Sequence, residues 1–251
     1  MTSNKTTALI IGASSGVGLA LAGHLAEQGY QLHLVARGER DLESIAYHLS
    51  LSHAVSVTFS VLDLAELSNN KARDLVQTAL KKMGQISRLF LVSGANSSKD
   101  ELPMTGDVIK KMFYVNAVGP IHILNAVLES HKTAKLRSVT ICSTIAASVP
   151  RRRNIVYASA KIALESFSLG SRHYLSSCKI PVQIYRLGYV ATNLSFGQKT
   201  LFPAVEPGKI ARILLKNSDR DIGLSYLPHY WFMIILILEY LPWSIYRKLS
   251  F

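Results

Sequence analysis

Two side chains four residues apart, the phenol of Tyr157 and the ammonium of Lys161 in Tyr157-Ala-Ser-Ala-Lys161, have the types and spacing to do chemistry together. On a helix this spacing puts both on one face, about one turn apart. A free tyrosine has a pKa of about 10 and exchanges protons poorly with a carbonyl near neutral pH, so it needs a neighbouring positive charge to favour the phenolate. A unit charge at about 4 Å and an effective dielectric of about 20 contributes roughly 4 kcal/mol, up to about three pKa units before solvent screening. A hydroxyl pair, Ser143 and Thr144, stands at the end of the strand expected just before that helix.

A second constellation lies near the N-terminus. Gly12-Ala13-Ser14-Ser15-Gly16-Val17-Gly18 has the spacing G-x-x-x-G-x-G rather than the G-x-G-x-x-G of two-domain dehydrogenases. Glycine is needed where the chain turns tightly and where backbone must approach a pyrophosphate; the helix behind the turn supplies unpaired N–H groups and a positive dipole end. At the end of the second expected strand stands Arg37, where a site for NAD usually places an acid for the ribose 2′-OH. Arginine suits a 2′-phosphate, so NADP(H) is the expected cofactor and NAD(H) the less favoured one. Asp63 and Leu64 follow the third strand, placed to meet an adenine.

The elements that must position these residues alternate along the chain. Strands are expected at Ala8–Ile11, Gln31–Ala36, Val55–Leu62, Arg88–Val92, Val139–Cys142 and Val182–Arg186. Helices are expected after the glycine turn and at Asp41–Leu51, Asn70–Met83, Asp107–Ser130, Tyr157–Leu175 and Gly208–Lys216. Apolar residues at Val17, Leu21 and Leu25 carry the helical period, and Pro207 precedes the last of these helices. Strictly alternating strands and helices imply an α/β fold with a Rossmann-type, doubly wound parallel sheet.

The bulk numbers set limits. A chain of 251 residues can bury one large core. Hydrophobic residues make up 49% against 18% charged, with mean hydropathy +0.21, which excludes a disordered chain and leans toward an apolar substrate or a membrane surface. Cys142 and Cys178 lie far apart without any metal-ligand spacing, so no metal site and no disulfide framework is expected. The net charge of +12 comes partly from short clusters, among them Lys81-Lys82, Lys110-Lys111, Arg151-Arg152-Arg153 and Arg247-Lys248. Without a recognition motif beside them, they read as solvated faces or contacts to phosphate-bearing ligands, and no nucleic-acid partner is expected. Met1 to Thr7 has no apolar leader region, so a cytoplasmic protein is expected.

With the turn, the Tyr/Lys pair and their order in place, the chain resembles a short-chain dehydrogenase/reductase over nearly its whole length. The resemblance implies a cofactor turn at Gly12, Gly16 and Gly18, a catalytic Tyr157 and Lys161, and a helix asparagine at Asn116 that helps hold a proton-relaying water. The oxidised nicotinamide then joins Lys161 as a positive charge near the phenol. Leu187-Gly188-Tyr189-Val190-Ala191-Thr192 resembles the loop that holds the nicotinamide carboxamide, with Leu187 where proline is usual. Two stretches depart from the family pattern. Its N-N-A-G appears as Ser93-Gly94-Ala95-Asn96, which keeps the small Gly94 and Ala95 beside the cofactor. Its substrate-orienting serine stands thirteen residues before the tyrosine, where this chain has Thr144, with Ser143 just before it. Threonine brings the same hydroxyl with a more restricted rotamer, so Thr144 is favoured and Ser143 held in reserve.

Ser143 through Ser195 most resembles the decaprenylphosphoryl-2-keto-erythropentose reductases, as does the apolar helix, proline and basic ending from Tyr226 to Leu249. That implies a ketone on a polyprenyl-phosphate-linked sugar; the arginine triad, shortly before Tyr157, reads either as a contact to a substrate phosphate or as a solvated loop. A plain lipid or small hydrophobic ketone suits the same residues. A cofactor-binding regulatory or scaffold protein with weakened catalysis is the alternative that Thr144 and the altered Ser93–Asn96 stretch leave open. The expected organisation is a domain over residues 1–223 and an apolar, basic tail over 224–251. Tyr230–Leu238 is a charge-free run of nine residues, about 13 Å of helix against roughly 30 Å of hydrocarbon, too short to span alone. Trp231, Tyr240 and Trp243 with Arg247-Lys248 look like interfacial anchors for peripheral contact with the inner face of the cytoplasmic membrane. Packing on the domain or across a dimer is the competing reading, and a homo-oligomer is the expected assembly.

Overall fold

The computed structural model describes residues 6–97, 99–149, 151, 153–192 and 202–248. Pro150, Arg152 and Ser195, which the sequence reading singled out, lie outside them. Seven parallel strands, β1 (Thr7–Ile11), β2 (Gln31–Ala36), β3 (Val57–Val61), β4 (Arg88–Leu91), β5 (Ser138–Thr144), β6 (Val182–Leu187) and β7 (Leu224–Leu227), form one sheet in the order β3-β2-β1-β4-β5-β6-β7. The chain starts mid-sheet, runs to one edge and returns, so β1 and β4 are neighbours with Ile11 opposite Leu91. A doubly wound sheet opens a crevice at this reversal, beyond the carboxyl ends of its strands.

All five residues of β1 are buried, as a strand covered on both faces must be. Leu9 and Ile11 pack on one side with Leu75, Val76, Ile123 and Leu164; Ala8 and Ile10 pack on the other with Leu21, Leu25 and Leu215. The period of two in β1 therefore divides the core between the two helical layers. α1 (Gly16–Glu27), α2 (Glu39–His53) and α8 (Pro207–Lys216) belong to the second layer, and α3 (Asn69–Met83), α5 (Gly119–Glu129) and α7 (Ile155–Ser176) to the first. α3 shows how local sequence sets the ends: the Ser68 hydroxyl accepts from Lys71 N–H at 3.3 Å, and Gly84 closes the helix in the left-handed region at φ 76°.

The structure departs from the sequence reading in two places. The single helix expected over Asp107–Ser130 is α4 (Gly106–Phe113), a π-helical turn at Tyr114–Val118, then α5. Pro120 has no N–H to give the carbonyl of Asn116 four residues earlier, and Gly119 N–H bonds the carbonyl of Tyr114 instead. The boundary expected after residue 223 also moves. Leu224–Leu227 is the seventh strand, paired in parallel with β6, so the tail leaves the sheet only after Leu227. The sequence reading missed β7 because four residues between a turn and a longer apolar run carry too little period of their own.

The tail then forms α9 (Tyr230–Glu239) and a short α10 (Trp243–Tyr246) beyond the four-residue α6 (His131–Ala134) and the helices above. α9 docks on the domain through Trp231 and Ile235, which pack with Ile145, Val149 and Tyr226. Its other face leaves Phe232, Met233, Leu236 and Ile237 exposed. Among the described residues, no helix is long and apolar enough to cross a membrane.

Candidate active site

The crevice at the carboxyl ends of the strands gathers nearly every residue the sequence singled out. Gly12, Ser14, Ser15, Gly16, Val17, Arg37, Asp63, Leu64, Gly94, Ala95, Ser143, Thr144, Tyr157, Lys161, Gly188, Val190 and Thr192 line one cleft. Gly18 and Asn116 stand behind its wall and shape it. A Cβ on Gly18 would lie 2.1 Å from the carbonyl oxygen of Gly12, so the turn closes only because residue 18 has no side chain. Gly12 itself sits at φ 93°, in the region that favours glycine. Its N–H and that of Ala13 both donate to the carbonyl of Val35, which ties the turn to β2. Ser15 starts α1 without bonding its first N–H groups, leaving the helix end facing the cleft.

Arg37 is exposed on the cleft wall at the end of β2. The carboxylate of Asp63 accepts from Ala65 N–H at 2.9 Å, capping the turn that places Leu64 in the wall. Opposite, the loop from Gly188 to Thr192 is held at several points. Gly188 N–H donates to the carbonyl of Leu227 at 2.8 Å, and Val190 pairs with Val205.

The hydroxyl pair and the Tyr157/Lys161 pair come from β5 and α7. Tyr157 and Lys161 project from one face of α7 and are buried to 9% and 2% exposure. The Lys161 ammonium donates to the carbonyls of Ser93 at 2.9 Å and Cys142 at 3.1 Å. Burial lowers its pKa to about 8, with Cys142 and Glu165 acting in the opposite direction. Burial pushes the Tyr157 phenol up to about 12, against the neighbouring Thr144 hydroxyl, which pulls it down. The sequence-based expectation of a phenol lowered by Lys161 is therefore corrected for this state of the site. Desolvation outweighs the stabilising contacts, and the ammonium is directed at two backbone carbonyls. A phenol in this state keeps its proton at neutral pH and can give it away.

Both hydroxyl candidates line the cleft, and Thr144 is the one whose hydroxyl acts on the Tyr157 phenol. Successive strand residues point to opposite faces, and the Ser143 Oγ is buried without a hydrogen-bond partner among the described residues. Asn116 is fully buried in the π-helical turn. Its amide spans Ala95, accepting from the N–H at 2.9 Å and donating to the carbonyl at 2.9 Å, and also donates to the carbonyl of Met112 at 3.0 Å. The altered Ser93–Asn96 stretch is thus held by Asn116 and Lys161, and its own Asn96 Oδ1 accepts from Ser97 N–H at 2.8 Å. One turn beyond Lys161, Glu165 makes a bidentate pair with Arg186 of β6 at 3.0 and 2.7 Å, and Arg186 reaches Tyr226 of β7 at 2.7 Å. This pair locks α7 to the sheet beneath the site.

Sequence reading missed several members of the site. Ile145, Asn154 and Tyr189 line the cleft, beside Arg151 of the arginine triad, which the sequence did single out. Asn154 could have been suspected from its place just before the tyrosine helix. Asp100, buried against the start of α7, gave no local signal because its partners are 56 and 57 residues away.

The family model for short chain dehydrogenase matches residues 6–200. An uncharacterized oxidoreductase of Staphylococcus saprophyticus is 28% identical over 190 residues, 75% of this chain and 80% of that one. A hydroxysteroid 11-beta-dehydrogenase 1-like protein of Xenopus tropicalis is 31% identical over 182 residues, 72% of this chain; the match spans only 62% of that protein's length. Among solved structures, the alcohol dehydrogenase of Thermococcus sibiricus complexed with 5-hydroxy-NADP is similar at TM-score 0.78 and 25% identity, over 89% of this chain and 96% of that one. Sheet order, cleft and family model agree, and the chain belongs to the short-chain dehydrogenase family.

Proposed function

We propose that this oxidoreductase reduces a ketone with NADP(H), and that Tyr157 is the proton donor. The observation that carries this reading is the meeting of Tyr157, Thr144 and Lys161 in the cleft that the glycine turn opens. The residues present fit a dinucleotide: small residues line the turn, the first N–H groups of α1 face the cleft, and Arg37 on the cleft wall suits a 2′-phosphate. When bound, the nicotinamide supplies a hydride. The protein's part is then to place the carbonyl and manage one proton. The Thr144 hydroxyl is positioned to hold the carbonyl oxygen, and Tyr157, protonated because it is buried, gives its proton to that oxygen. The Lys161 ammonium, charged below pH of about 8, adds a positive charge to the same cleft and holds the carbonyls of Ser93 and Cys142 beside it. Asn116 fixes the backbone at Ala95 that faces this chemistry.

The substrate class follows from the walls and the tail. Ile145, Tyr189 and Val190 give the cleft an apolar side, while Arg151 adds a cation. An apolar ketone carrying an anionic group, such as a keto-sugar on a polyprenyl phosphate, suits both. The hydroxysteroid name of the Xenopus relative and the NADP analogue on the Thermococcus enzyme support an apolar ketone and this cofactor. The exposed apolar face of α9, with Tyr240, Trp243, Arg247 and Lys248 beyond it, suits peripheral contact with an anionic membrane that carries such a substrate. The test is oxidation of NADPH by the full chain with membrane lipid fractions, steroid-like ketones and small ketones, followed by identification of the reduced product. Turnover with an apolar or lipid-linked ketone is expected. Turnover of small polar ketones alone would remove the lipid part of the reading, and no turnover with any of them would favour a cofactor-binding protein without catalysis.

A further inference from the structure

The helix that carries Tyr157 starts against a carboxylate from a distant part of the chain. Asp100 is 2% exposed; its Oδ1 accepts from Val156 N–H and its Oδ2 from Tyr157 N–H, each at 2.8 Å. Val156 and Tyr157 are the second and third residues of α7, the N–H groups that an N-cap side chain normally takes. The residue at the N-cap position, Asn154, makes no such bond. It sits at φ 65° in the left-handed region and lies in the cleft wall. Non-glycine residues adopt that conformation rarely, and it persists where the surroundings fix it.

Two backbone contacts reinforce the arrangement. Asn154 N–H donates to the carbonyl of Asp100 at 2.9 Å, and Glu101 pairs with Arg153 as an antiparallel bridge. The connection that leads to Asp100 begins at Ser93, whose carbonyl accepts from Lys161, and passes Ala95, clamped by Asn116. The same stretch of chain therefore touches Lys161 and Asn116 near one end and the first turn beneath Tyr157 at the other. A negative charge at this end of α7 also opposes the positive end of the helix dipole.

We propose that Asp100 is a positioning residue: as an N-cap supplied from outside the helix, it fixes the first turn of α7 and so sets the reach of the Tyr157 phenol into the cleft, while Asn154 remains in the cleft wall. This rests on the reading of Tyr157 as proton donor. A misplacement of the reacting group by about 1 Å can lower a rate by about 100-fold. Losing the cap should thus act on turnover rather than on cofactor affinity.

The test compares the native protein with Asp100→Ala, Asp100→Asn and Tyr157→Phe by NADPH fluorescence titration, by kcat and KM for one ketone, and by the pH profile of kcat. Asp100→Ala is expected to lower kcat by roughly 10- to 100-fold with NADPH affinity within about 3-fold of native. Asp100→Asn keeps one acceptor oxygen and nearly the same volume. It should fall between the two with an altered pH profile, and it carries the comparison if the alanine variant does not fold. Native kcat and pH profile in Asp100→Asn, native kcat in Asp100→Ala, or a loss of kcat matched by an equal loss of NADPH affinity would overturn the proposal. If Tyr157→Phe retains turnover, the proton-donor reading fails first; if it is inactive while both Asp100 variants are native-like, only the positioning role fails.

Discussion

The indole nitrogen of Trp231 lies 2.0 Å from where a Cβ on Gly188 would stand. The tail helix is thus packed directly on the loop that closes the cleft, in an aromatic cluster with Tyr189 and Phe202 at 5.6 and 5.1 Å. Gly188→Ala must move either the loop or α9, so we expect it to impair turnover even though it adds a single methyl. Trp231→Ala should lower stability by about 3–5 kcal/mol, the usual range for emptying a buried aromatic site. Trp231→Phe should lose much less, because the indole N–H has no hydrogen-bond partner among the described residues. Chemical denaturation of the three variants checks the order; a native-like Gly188→Ala enzyme would show that the contact is soft.

The glycine turn offers a controlled contrast. A Cβ at Gly18 meets the carbonyl of Gly12 at 2.1 Å, whereas one at Gly94 finds its nearest neighbour, Asn116 Oδ1, at 3.7 Å. Gly18→Ala is therefore expected to abolish NADPH binding by deforming the turn. Gly94→Ala should leave the unliganded fold intact, and any loss of affinity in it would report the space a bound cofactor occupies. Titration of both by NADPH fluorescence separates these effects; equal, mild effects would contradict the packing described.

Arg37 and the hydroxyl pair give two further contrasts. Arg37→Asp should move the preference from NADPH toward NADH by at least about 10-fold, since it exchanges a cation suited to a 2′-phosphate for an acid suited to a free ribose. An unchanged ratio of kcat/KM for the two cofactors would exclude this role. Thr144→Ala should lower kcat by about 100-fold, in the range of a lost positioned proton-transfer partner. Ser143→Ala should have little effect on kcat, because its buried hydroxyl makes no hydrogen bond among the described residues. The reverse pattern would transfer the substrate-orienting role to Ser143.

His33 sets a pH limit on the fold. It is fully buried on β2 between Thr58 and Ser60, with hydrogen bonds of 2.8 and 2.9 Å. Burial first and the charge of Lys82 second lower its pKa from 6.5 to about 4. An unfolded chain takes up this proton near pH 6.5, whereas the folded chain resists it until about pH 4. His33 therefore contributes stability that is fully present above pH 6.5 and declines as pH falls toward 4, by about 3 kcal/mol over the window. Urea unfolding across this range should show a steeper decline for the native protein than for His33→Gln. Parallel curves would contradict the assignment.

Much of this architecture could be read from residue order because it depends on local signals. The glycine spacing, the Tyr157/Lys161 pair and the alternation of strands and helices each reside within a few consecutive turns of chain. Features fixed by distant neighbours could not. Whether Thr144 or Ser143 faces the phenol depends on the side-chain direction at the end of β5, and Asp100 meets α7 only after the sheet has formed. The interruption at Tyr114–Val118 had a readable cause in Pro120, masked by the strong helical pattern on both sides. The phenol's pKa misled the sequence reading because charge proximity can be guessed from spacing, whereas burial cannot.

The central claim is that Tyr157 delivers the proton in a ketone reduction, and single-site kinetics of Tyr157→Phe test it most directly. With NADPH and a ketone that the native enzyme turns over, the variant should bind NADPH within about 2-fold of native while kcat falls by at least about 100-fold. Turnover near the native rate in a variant that lacks the phenolic hydroxyl would contradict the account.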